Sequence, residues 1–415
     1  RMKVYKKILA VILAVSMVIN CNIISFANEY QNNIDSDIVL MKDAEQIAVF
    51  HIKNVMAYKK GSMWEEGVRI CCRKAIFDIN NEIAAYYFGL EDSNKNPAGY
   101  IVVGGNKNEI PIIEYSDEDN SFLNLGLEKT KDKAQDEYGI QVEENNSKII
   151  YTGDMNYIAK HKMQDGEYIA YDISTSNFSV IDLNNVEEIH YSNVEDINNA
   201  WDFYNNTANS TPPDSGSEFI TNPYNYEDGY DSSNYYTITN GVRYYNIMTD
   251  FADSAARVCA PTAATNLCKY WYLRNPSEYG NLLKGNSWNN AFDSLAEYME
   301  TSYYESGTSD DNVADAYRLY FDEVGLSCQA WLFSGTNNGR YIVNELNNDR
   351  PCHLIVHNHY MYGDHSVLAV GYAEYRYGNS YSTYIRIADG WTNYPSRYVW
   401  GACYGTWKYV VVIPD

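Results

Sequence analysis

Three residues far apart in the chain have the types that acyl transfer needs: Cys259, His365 and Asp389. A thiolate attacks a carbonyl, an imidazole moves the protons, and a carboxylate beside the imidazole fixes its tautomer and supports its charge. Cys259 opens the stretch Cys259-Ala260-Pro261-Thr262-Ala263-Ala264-Thr265-Asn266-Leu267-Cys268-Lys269-Tyr270-Trp271. Pro261 suits the first turn of a helix, where its missing donor is no loss, and Asn275-Pro276 ends the run. Cys259 therefore falls at a helix N-terminus, whose unpaired N–H groups and positive dipole end favour a thiolate.

His365 opens a strand, His365-Ser366-Val367-Leu368-Ala369-Val370-Gly371-Tyr372, after the turn Tyr362-Gly363-Asp364. A hairpin turn centred between Tyr377 and Gly378 would put His365 within one position of Asp389 across the ladder. Each residue alone has a structural reading: a small buried hydrophobe for the thiol, a strand-end histidine beside a surface carboxylate for the other two. Their joint occurrence points to catalysis. Of the other six histidines, His51, His161 and His190 read as surface or structural. His353, His357 and His359 share one strand-like run without a partner cluster. With no C-x-x-C either, no metal or cofactor is expected.

These groups need elements to hold them. After the Cys259 helix, apolar spacing predicts helices over 287–299, 311–323 and a short one within 337–347, then strands over 353–359, 366–375, 381–388 and 407–413. Helices followed by antiparallel strands give an α+β order. The N-terminal half reads as a second α+β domain. A helix covers 39–60 and strands cover 69–78, 84–90, 99–103, 110–115, 148–152 and 168–173, with a helix over 193–204. Asn80-Asn81 and Asp92 to Pro97 supply turns. Between the halves, 205–240 is rich in Asn, Ser, Thr, Tyr and Pro and reads as a linker open to proteolysis.

The 415 residues carry 45% hydrophobic and 15% aromatic side chains, ample for packed cores. A formal charge of −24 argues against nucleic acid or an anionic membrane as partner. Lys3, Lys6 and Lys7, then apolar Ile8–Ile19 and Ser25-Phe26-Ala27, form the pattern of a secretory signal over 1–27, so the product is expected to be secreted, with no stable membrane anchor. Eight cysteines less Cys21 leave seven, an odd number that leaves at least one thiol unpaired within the monomer. Cys259 and Cys268 are about 180° apart on a helix and cannot bridge. Forty-one tyrosines against ten prolines have no mechanism legible at this level beyond rigid amphipathic contact area.

Cys259-Ala260-Pro261-Thr262-Ala263-Ala264 resembles the Cys-Gly-Pro-Thr-Ala-Ala opening of papain-like cysteine peptidases of the streptopain and bacteriocin-processing groups. Gly363 to Tyr372 resembles their histidine strand, and Ile387-Ala388-Asp389-Gly390-Trp391 their third catalytic position. Ala85-Tyr86-Tyr87-Phe88, Gly99 to Val103 and Pro111 to Ser116 are similar to a streptopain-type propeptide. The resemblance implies a papain-like catalytic domain over 241–415, N-terminal helices packed on a C-terminal antiparallel sheet, preceded by an α+β prodomain over 28–204. It implies a secreted endopeptidase made as a zymogen, acting on protein or peptide substrates and inhibited by its own prodomain. Two departures stand out: Ala260 replaces Gly, and no glutamine between Pro223 and Cys259 can serve the oxyanion hole. Asn246 could donate instead, or Asp250 or Asp253 if protonated. The same triad would also serve a cell-wall amidase, and without activity the fold would be a peptidase-like binding protein.

Overall fold

Alternating and continuous apolar runs in the N-terminal half form strands, against which its first two helices pack. The structure is a computed structural model. It describes residues 37–415 apart from 118–121, 140–141, 154–155, 174–177, 187–193, 208–218, 221–229, 240–241, 243, 254–255, 336, 338, 357–364, 396 and 402–406. The signal over 1–27 with Cys21, His190, His357, His359, Gly363, Asp364 and most of the 205–240 linker lie outside the described residues. Residues 40–415 make one compact unit.

Helix α1 (Met41–Tyr58) precedes a meander of β1 (Arg69–Phe77), β2 (Ile83–Glu91), β3 (Pro97–Gly104) and β4 (Ile112–Ser116). The expected turns are present. Asn81 adopts φ 69°, and the Asp92 carboxylate accepts from the N–H groups of Asn94 and Asn96. After α2 (Phe122–Tyr138) come β5 (Val142–Tyr151), β6 (Tyr157–Met163), β7 (Tyr168–Asp172) and α3 (Val194–Thr207). The second half runs β8 (Ser232–Thr237), α4 (Cys259–Arg274), α5 (Trp288–Tyr298), α6 (Asp310–Glu323), β9 (Cys328–Ser334) and α7 (Arg340–Asn347). It ends with β10 (Cys352–Val356), β11 (His365–Tyr377), β12 (Ser380–Ala388), β13 (Arg397–Trp400) and β14 (Trp407–Pro414). Helix α4 packs on α5, β10 and β11.

The protein is thus mixed α+β with a large, mostly antiparallel sheet. The described strands of both halves join in it, ordered β7-β6-β5-β1-β2-β3-β4-β13-β12-β11-β10-β14-β9, with β8 on β11. The join is β4 against β13, with Glu114 opposite Val399 and Ser116 opposite Arg397. Beside it lies a tyrosine cluster that accounts for part of the unusual composition. Tyr115 and Tyr235 both bond the Tyr375 hydroxyl (2.6 and 2.7 Å), and Tyr204 bonds Tyr230 (2.5 Å). Tyr384 donates to the Ile112 carbonyl at 3.0 Å. Tyrosine suits this boundary because its ring fills apolar space while its hydroxyl finds a partner.

Periodicity does not predict α2, β6, β8, β9 or β13. For α2 the signal exists: Leu123, Leu127, Thr130 and Ala134 recur at helical spacing and all are buried. β8 is pinned from outside its own sequence, since it crosses β11 at Gly371, where a Cβ would overlap the Tyr236 carbonyl.

Three histidines are buried as structural groups. His51 meets the Tyr230 hydroxyl (3.1 Å), His353 the Tyr317 hydroxyl (3.0 Å), and His161 sits between Thr130 and Ser147 (2.8 Å each). Burial pushes His51 and His353 down to about 3 and His161 down to about 4. The folded chain therefore refuses protons that the unfolded chain takes up below its ordinary value near 6.5. Stability is present above that value and is lost as pH falls through it toward about 4 for His161 and about 3 for His51 and His353. Each histidine costs about 2 kcal/mol at pH 5 by this linkage. The urea midpoint at pH 5 is expected to fall well below that at pH 7; an equal or higher midpoint would contradict these assignments.

Candidate active site

Helix α4 begins at Cys259, after Val258 in a non-helical conformation, and ends at Arg274, with Asn275 as its C-cap before Pro276. Pro261 lies in its first turn, and Thr265 bonds back to the Pro261 carbonyl at 2.8 Å. The approach to the helix is fixed by the Arg257 N–H, which donates to the Tyr303 carbonyl at 2.6 Å. Cys259 is half-buried at this end, whereas Cys268 is fully buried further along. A helix N-terminus offers the thiol the electrostatics that favour its ionised form.

His365 is the first residue of β11, against which α4 packs, and Asp389 follows the last residue of β12. The hairpin joining these strands pairs Tyr377 with Ser380, so its turn centres between Gly378 and Asn379, later than the sequence suggests. A bulge between Ala369 and Gly371 then leaves Leu368 opposite Ala388. Continued by one residue, that register sets Asp389 opposite Val367 and diagonal to His365. Both residues are buried, at 3% and 4% exposure.

No hydrogen bond joins the three side chains among the described residues. Both His365 ring nitrogens lack a partner there. The Asp389 main-chain carbonyl lies close enough to favour charge on the ring without meeting hydrogen-bond geometry. Burial, then the Arg397 guanidinium, push His365 down to about 3, so the imidazole is neutral at pH 7. Burial raises the Asp389 carboxyl, and Arg397 and the main-chain donors oppose that rise. Its Oδ1 accepts from the N–H groups of Trp391 (2.9 Å) and Thr392 (3.2 Å). Between them Gly390 adopts φ 78°, and its carbonyl accepts from the Met248 N–H at 2.9 Å.

The three residues considered for the oxyanion hole make hydrogen bonds elsewhere. Asn246 is bound to the third turn of α4: its Oδ1 accepts from Lys269 (3.1 Å), and its main chain exchanges bonds with Asn266. Asn266 is about 10 Å along the helix from Cys259. Asp250 accepts from the Ile247 N–H, and Asp253 from the Tyr304 hydroxyl.

The N-terminal half reaches both flanks of this region. The Phe178 ring meets Trp391, two residues past Asp389, edge-on with centroids 5.3 Å apart. The next residue, Ser179, accepts from Arg257, two residues before Cys259, at 3.4 Å. Phe178 is buried and holds φ at 46°, a conformation that costs a non-glycine residue about 1 kcal/mol or more. Arg397 and Phe178 are the site residues that sequence reasoning missed. A lone arginine in the run Arg397-Tyr398-Val399-Trp400 was a usable signal for the first; nothing local marks the second.

No protein-family model matches the chain, and no curated protein is similar to it. Among the described residues, no group of three His, Cys, Asp or Glu side chains could hold a metal ion, and no helix is long and apolar enough to cross a membrane.

Proposed function

We propose that the chain is the latent form of an exported, papain-like cysteine endopeptidase, with residues 28–204 as its prodomain and processing in the 205–240 linker. Cys259 is the nucleophile, His365 the general base and acid, and Asp389 the group that orients His365. The thiolate adds to the scissile carbonyl, and the oxyanion faces the main-chain donors at the α4 N-terminus. His365 delivers the thiol proton to the departing amine, leaving a thioester. Water then attacks with His365 as base, releasing the acid and restoring the thiol.

The observation that carries this reading is the contact of one N-terminal segment, Phe178-Ser179, with both flanks: Trp391 beside Asp389 and Arg257 beside Cys259. A neutral, unpartnered His365 also suits a latent state. Linker cleavage is expected to raise hydrolysis of a fluorogenic peptide, and Phe178→Ala to raise it about tenfold in the intact chain, since one aromatic pair is worth about 0.5–1.5 kcal/mol. Equal rates from wild type, variant and cleaved chain would refute latency. A peptidase-like binding protein is the rival reading, favoured by the engagement of Asn246 away from Cys259. It predicts that Cys259→Ala leaves every measurable property unchanged.

A further inference from the structure

Cross-strand partners share a sheet face. Arg397 pairs with Ser116 on one side and Ile387 on the other, and Ile387 pairs with Ala369. Two-residue steps along β4, β12 and β11 then add Glu114, Asp389 and His365 to that face. All lie toward one end of the sheet, because Ser116 and Asp389 close or follow their strands while Arg397 and His365 open theirs. One face thus carries a row of ionisable groups from the N-terminal half to the candidate catalytic pair.

Glu114 and Arg397 form a buried ion pair, 2.5 Å from Nη2 and 3.2 Å from Nε, with side chains 0% and 5% exposed. The Tyr100 hydroxyl donates to the other carboxylate oxygen at 2.9 Å. Arg397 acts electrostatically against charge on His365 and the Asp389 main chain acts for it, while Glu114, Tyr100, Tyr157 and Asp389 act on Arg397.

Resting on the peptidase reading, we propose that Arg397 is a positioning residue for the His365–Asp389 pair, fixing the carboxylate and opposing charge on the imidazole. Glu114 is its counter-ion only while the N-terminal half remains in the sheet. Departure of that half removes the carboxylate that pairs with Arg397 across the join, so processing changes the electrostatics of the pair as well as its access. Arg397 opposes the rise that burial gives the Asp389 carboxyl, which favours a carboxylate able to orient the ring, and it restrains the imidazole from taking a proton before substrate supplies a negative charge nearby.

Histidine-ring NMR of the full-length chain tests this directly. In the doubly neutral Glu114→Gln/Arg397→Met variant, the His365 titration midpoint is expected to rise by about one pH unit, a tenfold gain in proton affinity. Arg397→Met alone is expected to raise it as well, and Arg397→Lys leaves it near wild type. His353, which pairs with Leu368 and so lies on the opposite face, reports an intact fold by keeping its own midpoint. A His365 midpoint that stays put in both Met variants overturns the proposal. Peptide hydrolysis by the same wild-type sample after linker cleavage separates the two claims: a moved midpoint without hydrolysis retains the Arg397 interaction and removes the peptidase, and hydrolysis with an unmoved midpoint does the reverse.

Discussion

Cys259→Ala abolishes peptide hydrolysis by the processed chain, a loss on the order of 10⁶ in kcat, the scale seen when an acyl-transfer nucleophile is removed. The fold is expected to survive, since Cys259 is only half-buried at a helix end and its side chain is small. His365→Ala should cost a similar amount, because residues acting as a unit are not additive, and the double variant should be scarcely worse than either. A residual rate near wild type in Cys259→Ala, with the melting temperature unchanged, would assign hydrolysis to some other group.

The second large effect is on stability. Glu114→Ala removes one member of a buried ion pair and takes from Arg397 the carboxylate it is bonded to at the join between β4 and β13. Such a loss costs about 3–5 kcal/mol, whereas neutralising both partners costs far less. Urea unfolding of Glu114→Ala is therefore expected to show a lower midpoint than Glu114→Gln/Arg397→Met. The same midpoint for both would mean that the pair is solvated in solution. Because β4 and β13 share one sheet, wild type should also lose tertiary signal from both halves in a single transition.

What the sequence disclosed follows from how local each signal is. The Cys259 helix is bounded by Pro261 and Asn275-Pro276, both of which act through their own backbones, and its limits agree with the structure. The β11–β12 hairpin is legible from its apolar runs. Its register is not, because the centre of a Gly378-Asn379 turn and a bulge past Ala369 each move the pairing by a residue. Asp389 thus ends diagonal to His365. The pairing of β4 with β13 joins residues some 280 positions apart and leaves no periodic trace in a four-residue strand. Phe178 is hidden for the same reason: its partner, Trp391, is distant in the chain, and positive φ at a phenylalanine has no composition cue.

Competitive alkylation gives the most direct measurement of the central claim. Among the described residues Cys71 is the exposed thiol and Cys259 is half-buried, so accessibility alone would favour Cys71. Burial, then Glu91, raise the Cys71 thiol and make it a poor nucleophile. With limiting iodoacetamide at pH 6 after linker cleavage, peptide mapping by mass spectrometry should find Cys259 modified at least about tenfold faster than Cys71, and His365→Ala should erase that advantage. Faster modification of Cys71, or a Cys259 rate indifferent to His365, would contradict the assignment of Cys259 and His365 as a catalytic pair.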